Sequence, residues 1–337
     1  MLDLKAELDL KYPLIQAGMG GGIAGANLAS TVSLAGGLGT VGHSKPNQFN
    51  QEILATKEKV KNKPYSAGLL VPFATDEHLD ICTRNRVPVV TLFFGFKPGW
   101  INKLKSVGCL VAYQVGSVEE ADFVVKEGTD ILIVQGVEAG GHVRGNDRLN
   151  ELIPKIRQRH QDIPIFAAGG IYNQLSAANA LAQGANGVLV GTRFLMSKEA
   201  NAHQEYKDRL CTENQTILTT LFGLGWHAPH RVLQNEATKK WVNAKGDGPL
   251  FTRLINSLVE RLNKHIHLPA ELEMKRYYAQ KASLPLYTPL SPLNSMTNPP
   301  LDYSALYAGE CVKEIHKIES AADIVFEIGE GLLVPSS

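Results

Sequence analysis

Short apolar runs recur through the first two thirds of the chain, each followed by a segment with helical spacing. They are PLIQAGMG (13–20), LGTVGH (38–43), YSAGLL (65–70), PVVTLFFG (88–95), LVAYQVG (110–116), ILIVQGV (131–137), PIFAAGG (164–170) and GVLVGTRF (187–194). Most are continuous rather than alternating, as in parallel strands covered on both faces. The segments between them, such as SVEEADFVVKEG and NQLSAANALAQG, open on Ser or Asn and end in Gly, as helices do. Ser117 with Glu120 three residues on predicts a capping box. The runs start 21 to 33 residues apart, the spacing of βα units. Eight such units predict an α/β fold of the (β/α)8 TIM-barrel type over residues 1–210. A doubly wound open sheet is the alternative; the count of eight, with no interruption before residue 195, favours the barrel.

After residue 210 the rhythm stops. Residues 211–337 read as a mainly helical insertion or lid with a tail helix that returns to the barrel. SLVERLNKHI (257–266) and LPAELEMKRYYAQKA (268–282) read as helices, residues 283–300 as a Pro- and Ser-rich loop, and SALYAGECVKEI and SAADIVFEI as closing helices.

Composition narrows the function classes. The chain is 44% hydrophobic and 20% charged with a net charge of +1, ordinary for a soluble globular enzyme. Acids and bases are mixed along it, so no basic face points to nucleic acid or to anionic lipid. The start, MLDLKAELDL, lacks the apolar core of a signal peptide, and no run approaches a membrane span, so a cytoplasmic location is expected. The four cysteines, Cys82, Cys109, Cys211 and Cys311, are far apart and read as small buried side chains rather than a disulfide framework or a zinc site.

A barrel of this type carries its active site at the C-terminal ends of its strands. Glycine is concentrated at those ends. GGGIAG (20–25) fits a dinucleotide-binding turn, but the acid expected at the end of the next strand is missing from VGHSKPNQ. A tight turn bringing backbone amides near a flat ring or a phosphate is the better reading. Gly169 and Gly170 after the seventh run, with Gly191 and Thr192 after the eighth, could offer backbone N–H groups and one hydroxyl to a phosphate. His142 follows Glu138, Gly140 and Gly141 at the same rim and is the candidate proton carrier. Glu138 reads as structural, His43 as a weaker candidate, and the pair His227 and His230 lacks a third metal ligand.

PLIQAGMGGG, QGVEAGGH, PIFAAGGI and GANGVLVGTRFLMSKEA, in that order, resemble the nitronate monooxygenase family, formerly called 2-nitropropane dioxygenases, and LYAGECVKEI resembles its closing segment. The resemblance implies an FMN-binding TIM barrel that oxidises alkyl nitronates, and nitroalkanes, with O2. It implies that Gly169, Gly170, Gly191 and Thr192 clamp the FMN phosphate, and that Gln135, Gly140 and Gly141 flank the flavin. Gly18 and Met19 would lie under the ring, and His142 would be the catalytic base. Gln114 is an uncharged candidate for the flavin's pyrimidine edge. Gly68 stands where the family usually has Asn, which leaves the substrate open. The same motifs admit an FMN-dependent NAD(P)H:quinone or enoyl-acyl-carrier-protein reductase. A phosphate-binding lyase or isomerase without flavin would share only the clamp, and so would a non-catalytic flavin-binding module. An IMP-dehydrogenase-like barrel is disfavoured, because no cysteine lies on a rim loop. The expected partners are a small-molecule substrate and O2, with neither nucleic acid nor membrane; a homodimer is compatible with these features.

Overall fold

The computed structural model describes residues 4–263 and 270–333. Its strands are β1 (Leu14–Gln16), β2 (Gly39–Val41), β3 (Tyr65–Leu70), β4 (Val89–Phe93), β5 (Leu110–Val115), β6 (Ile131–Gln135), β7 (Gly141–His142), β8 (Ile165–Ala168), β9 (Gly187–Val190), β10 (Thr216–Thr219) and β11 (His230–Leu233). The chain divides into two compact units, one made of Met1–Glu138, Arg144–Asn201 and Lys317–Ser337, the other of Ala139–Val143 and Ala202–His316.

The first unit is a parallel barrel with strand order β1-β9-β8-β6-β5-β4-β3-β2, closed by a parallel bridge between Ile15 and Leu38. The predicted (β/α)8 architecture is therefore present. Both faces of each strand are buried, which is why the runs are continuous in sequence. Ile15, Val89, Ala112, Ile131, Ile133, Phe166 and Leu189 fill the interior. Leu14, Val41, Val90, Val111, Leu132 and Val188 face outward into a second cluster with the helical residues Leu28, Phe49, Ile53 and Leu79. Phe166 is 1% exposed, and its burial stabilises the barrel by about 2–3 kcal/mol. Gly187 makes room for that ring, since a Cβ there would lie 2.5 Å from Phe166 Cε1.

Local caps follow the sequence with one exception. Asn173 and Ser176 form a reciprocal capping box at helix Gln174–Ala182. Ser117 accepts the Glu120 N–H at 3.2 Å, but the Glu120 carboxylate instead accepts the Gly116 N–H at 2.9 Å and pairs with Arg144. The expected box is half formed because a charged tertiary partner and a strand-end amide compete for the carboxylate. The tail returns to this unit. Helix Ala321–Glu330 is capped by Ser320, Tyr12 Oη donates to Glu330 at 2.9 Å, and the buried Arg193 guanidinium pairs with Glu319 and Glu327.

The second unit contains an antiparallel sheet, β10-β11-β7, beside helices Gln204–Thr212, Glu236–Trp241, Leu250–Asn263 and Ala270–Tyr278. Its core includes Leu221, Phe222, Val232, Ala237, Tyr287 and Ala305. The sequence reading took residues 211–337 as mainly helical and named no strand there. TILT and HRVL are four-residue runs, too short for periodicity to identify, and the third strand comes from residues 141–142. SALYAGECVKEI also departs from the expected helix. Tyr307 bridges Val232 and Leu306 O accepts the Leu233 N–H at 2.8 Å, so residues 306–307 extend the sheet and only Glu310–Glu314 forms a 3-10 turn. Residues 264–269, within the helices expected at 257–266 and 268–282, lie outside the described residues. No helix among the described residues is long and apolar enough to cross a membrane.

Candidate active site

In the barrel unit, β8 and β9 are adjacent, with Ala168 opposite Leu189. Gly169–Gly170 and Gly191–Thr192 therefore leave neighbouring strand ends. Gly169 and Gly170 have φ of +119° and +71°, a backbone that L side chains rarely adopt. Gly191 has ordinary φ, and a Cβ there would meet only Ala17 Cβ at 3.7 Å, so space is open beside it. On the other side of β9, the Ala17 N–H donates to Val190 O at 2.9 Å, which brings Gly18 and Met19 to the same rim. Gly18 packs against Thr40 and Gly68: a Cβ on Gly18 would lie 2.9 Å from Thr40 Cγ2 and 3.5 Å from Gly68 Cα. The absence of a side chain at Gly18 lets its backbone pack directly on Thr40 and Gly68.

Gln114 and Gln135 end the inward faces of β5 and β6. Side chains alternate along a strand, so Gln114 follows Ala112 and Gln135 follows Ile133 into the interior. Both are uncharged. Among the described residues no group hydrogen-bonds the Gln114 side chain, while Gln135 Oε1 accepts the Arg144 N–H at 3.1 Å. Glu138 accepts the Leu149 N–H at 3.1 Å at the start of helix Leu149–Arg159, which makes it a helix cap.

Gly140, Gly141 and His142 belong to the second unit. A Cβ on Gly140 would fall 2.4 Å from Gly309 N and 2.6 Å from Ala308 C, so packing within this unit alone requires glycine there. Gly141 has φ of +76°. His142 lies opposite His230 across the β7–β11 ladder. Its ring stacks on Trp226 with centroids 3.8 Å apart, and His230 and Tyr307 lie at 5.3 and 5.4 Å. Burial, and secondarily His230, hold the His142 imidazole well below the ordinary histidine pKa, although part of the residue still meets solvent. The ring is uncharged at neutral pH. His230 has both ring nitrogens committed: Nδ1 donates to Ala228 O at 2.9 Å, and Nε2 accepts the Phe222 N–H at 3.2 Å. Its pKa falls to about 4, through burial.

Sequence reasoning did not find Trp226 or Tyr307. Their only signal was proximity to the GWHAPHR and LYAGE motifs, whose long-range partner cannot be read from spacing. It also missed His78, on which His43 stacks at the end of β2.

A closed (β/α)8 barrel with bare-backbone turns at the strand ends defines a protein of the TIM-barrel class. The chain belongs to the nitronate monooxygenase family, which matches residues 3–81 and 73–330. A Rhodococcus jostii relative named (3aS,4S,5R,7aS)-5-hydroxy-7a-methyl-1-oxo-octahydro-1H-indene-4-carboxyl-CoA dehydrogenase is 33% identical over 232 residues. That match covers 67% of this chain and spans 64% of the relative. FabK from Thermotoga maritima has a similar structure, with a TM-score of 0.77 and 26% identity over 98% of this chain and 95% of that one. A nitroalkane oxidase from Streptomyces ansochromogenes gives a TM-score of 0.75 and 25% identity over 98% and 97%.

Proposed function

We propose that the protein is an FMN-dependent oxidoreductase that oxidises alkyl nitronates with O2, and neutral nitroalkanes once a carbon-bound proton is removed. The observation that carries this reading is the pairing of Gly169–Gly170 with Gly191–Thr192 on adjacent strand ends, two bare turns suited to one phosphate. The residues fit the group. Gln114 and Gln135 are uncharged amides for the polar edge of a flat ring, and Gly191 has open space beside it. Bound FMN would supply the redox chemistry toward substrate and O2.

His142 supplies the proton chemistry. A general base must be unprotonated before it acts, and burial keeps this imidazole neutral. The stack on Trp226 fixes the ring plane within its own unit. The proton it removes is the acidic one on the carbon bearing the nitro group. A nitronate has already lost that proton and needs the site only for binding.

The test is anaerobic mixing of the purified protein with propane 2-nitronate, and separately with NADH, while flavin absorbance is followed. Bleaching by the nitronate but not by NADH supports the assignment. A colourless protein that cannot be reconstituted with FMN overturns it. Bleaching by NADH alone supports a second reading, an FMN-dependent reductase or dehydrogenase of acyl thioesters. That reading is favoured by the name of the Rhodococcus relative, which specifies a carboxyl-CoA substrate.

A further inference from the structure

The N-terminal face of the barrel, opposite the strand ends that carry the glycine turns, holds a cleft of about 380 Å³ at the starts of β3 and β4. Lys57, Lys61, Lys63 and Arg86 line it, together with the carboxylates of Glu7 and Asp9. Asp9 is neutralised by Lys63, whose Nζ lies 2.9 Å from its carboxylate. Lys57 Nζ donates to Asn85 O at 3.3 Å. Among the described residues, nothing pairs with the side chains of Lys61 and Arg86. The cleft therefore keeps an excess of positive charge, and two of its cations have their donors uncommitted.

The backbone that presents those two cations is strained. Lys61 directly follows helix Pro46–Val60, and Arg86 directly follows helix Asp76–Asn85. Their φ angles are +55° and +49°, and Asp9 has +49°. Three of the five non-glycine residues with positive φ among the described residues thus line this one cleft. Glycine is the ordinary residue where a helix ends in this way, because a Cβ crowds the next carbonyl. Asp tolerates the conformation, whereas long side chains rarely adopt it. A basic residue there could offset its strain by donating to the last helical carbonyls. Neither Lys61 nor Arg86 does so. Attraction to the helix dipoles is already served by Lys57, Lys59 and Arg84 in the last turns. Capping accounts for neither residue, and strain retained without a structural return marks binding sites.

We propose that this cleft is a second ligand site, which binds a small polyanion bearing phosphate groups through Lys61 and Arg86. The Arg86 guanidinium offers a planar fork that matches two phosphate oxygens, and Lys61 adds a compact charge beside it. A cleft of this volume falls in the range of small-molecule sites and admits a diphosphate. It lies at the opposite end of the strands from Gly169–Gly170 and Gly191–Thr192, so it is separate from the clamp proposed for FMN. The inference does not depend on the proposed function.

The experiment is calorimetric titration of the protein as purified with inorganic pyrophosphate at low ionic strength, in wild type, Lys61→Gly and Arg86→Gly. Glycine removes the charge and relieves the left-handed backbone in one change. Each variant should therefore melt at or above the wild-type temperature without ligand. Each should bind pyrophosphate about tenfold more weakly, the order expected for one lost charge-assisted hydrogen bond. Lys61→Asn, which also tolerates positive φ, replaces Lys61→Gly if that variant does not fold. Added NaCl should weaken wild-type binding. Citrate, a polyanion without phosphate, should bind more weakly than pyrophosphate. Absence of pyrophosphate binding to wild type, or wild-type affinity in both glycine variants, overturns the proposal. A lowered melting temperature in both glycine variants assigns Lys61 and Arg86 to the fold and overturns it as well. Citrate binding equal to that of pyrophosphate overturns the phosphate assignment.

Discussion

His142 stacks face to face on Trp226, with ring centroids 3.8 Å apart and planes 28° from parallel. The indole removes water from one face of the imidazole and fixes its plane. His230, opposite His142 on β11, packs its own neutral ring at 5.3 Å. An aromatic wall of this kind keeps a histidine uncharged and oriented, as a general base requires.

Substrate form separates a base from a scaffold. A positioned general base is worth about 10²–10⁴-fold in rate. His142→Ala should lower kcat/KM on a neutral nitroalkane by that order, and much less on the matching nitronate. Both substrates are assayed after flavin content has been matched. An equal loss on the two forms assigns His142 to binding or orientation.

The acid limb of the pH–rate profile follows from the same wall. Only the unprotonated ring can accept a proton, and its pKa is pushed well below the ordinary value by burial. The acid limb of kcat/KM for a neutral nitroalkane should therefore lie below the ordinary histidine range. Trp226→Ala admits water to the ring, raises its pKa and moves the limb toward ordinary histidine values. A wild-type limb at or above about pH 6.5 would contradict this burial.

Two glycines at the clamp make contrasting tests. Gly191→Ala adds a methyl where the nearest atom is 3.7 Å away and φ is ordinary, so the fold should be untouched. Loss of FMN in that variant reports the ligand's own volume. Gly170→Val forces a β-branched residue to φ of +71°, a conformation that costs about 1–3 kcal/mol. It should lose both flavin and thermal stability. FMN content unchanged in both variants would move the phosphate elsewhere.

Acid should destabilise the fold through His230. Its pKa falls from 6.5 in the unfolded chain to about 4 when folded, so below pH 6.5 the unfolded state binds the extra proton. The stability is complete above that value and is lost as pH falls toward 4; at pH 5 the loss is about 2 kcal/mol. His230→Gln should flatten the dependence of melting temperature on pH between 7 and 5, measured by scanning calorimetry. A slope identical to wild type would place the acid sensitivity in other groups.

The chain's own periodicity determined the barrel. Eight continuous apolar runs require burial on both faces, and eight uninterrupted βα units favoured a closed barrel over a doubly wound sheet, a choice that the Ile15–Leu38 bridge settles. The strand-end glycines were legible for the same reason, since a buried run that stops at glycine marks a turn with no side chain. Only the tertiary structure decided what lies around the histidines. Residues 139–143 join the second unit because β7 pairs with β11, some 90 residues away in sequence, and short strands such as HRVL carry too little pattern to announce a partner. The Glu120 carboxylate left its expected cap for Gly116 and Arg144, a choice between local and distant partners that spacing cannot weigh. The neutrality of His142 and His43 is likewise a property of their surroundings. An imidazole's proton affinity is set by the rings and hydrogen bonds packed against it, and Trp226 and His78 reach those positions only when the chain is folded.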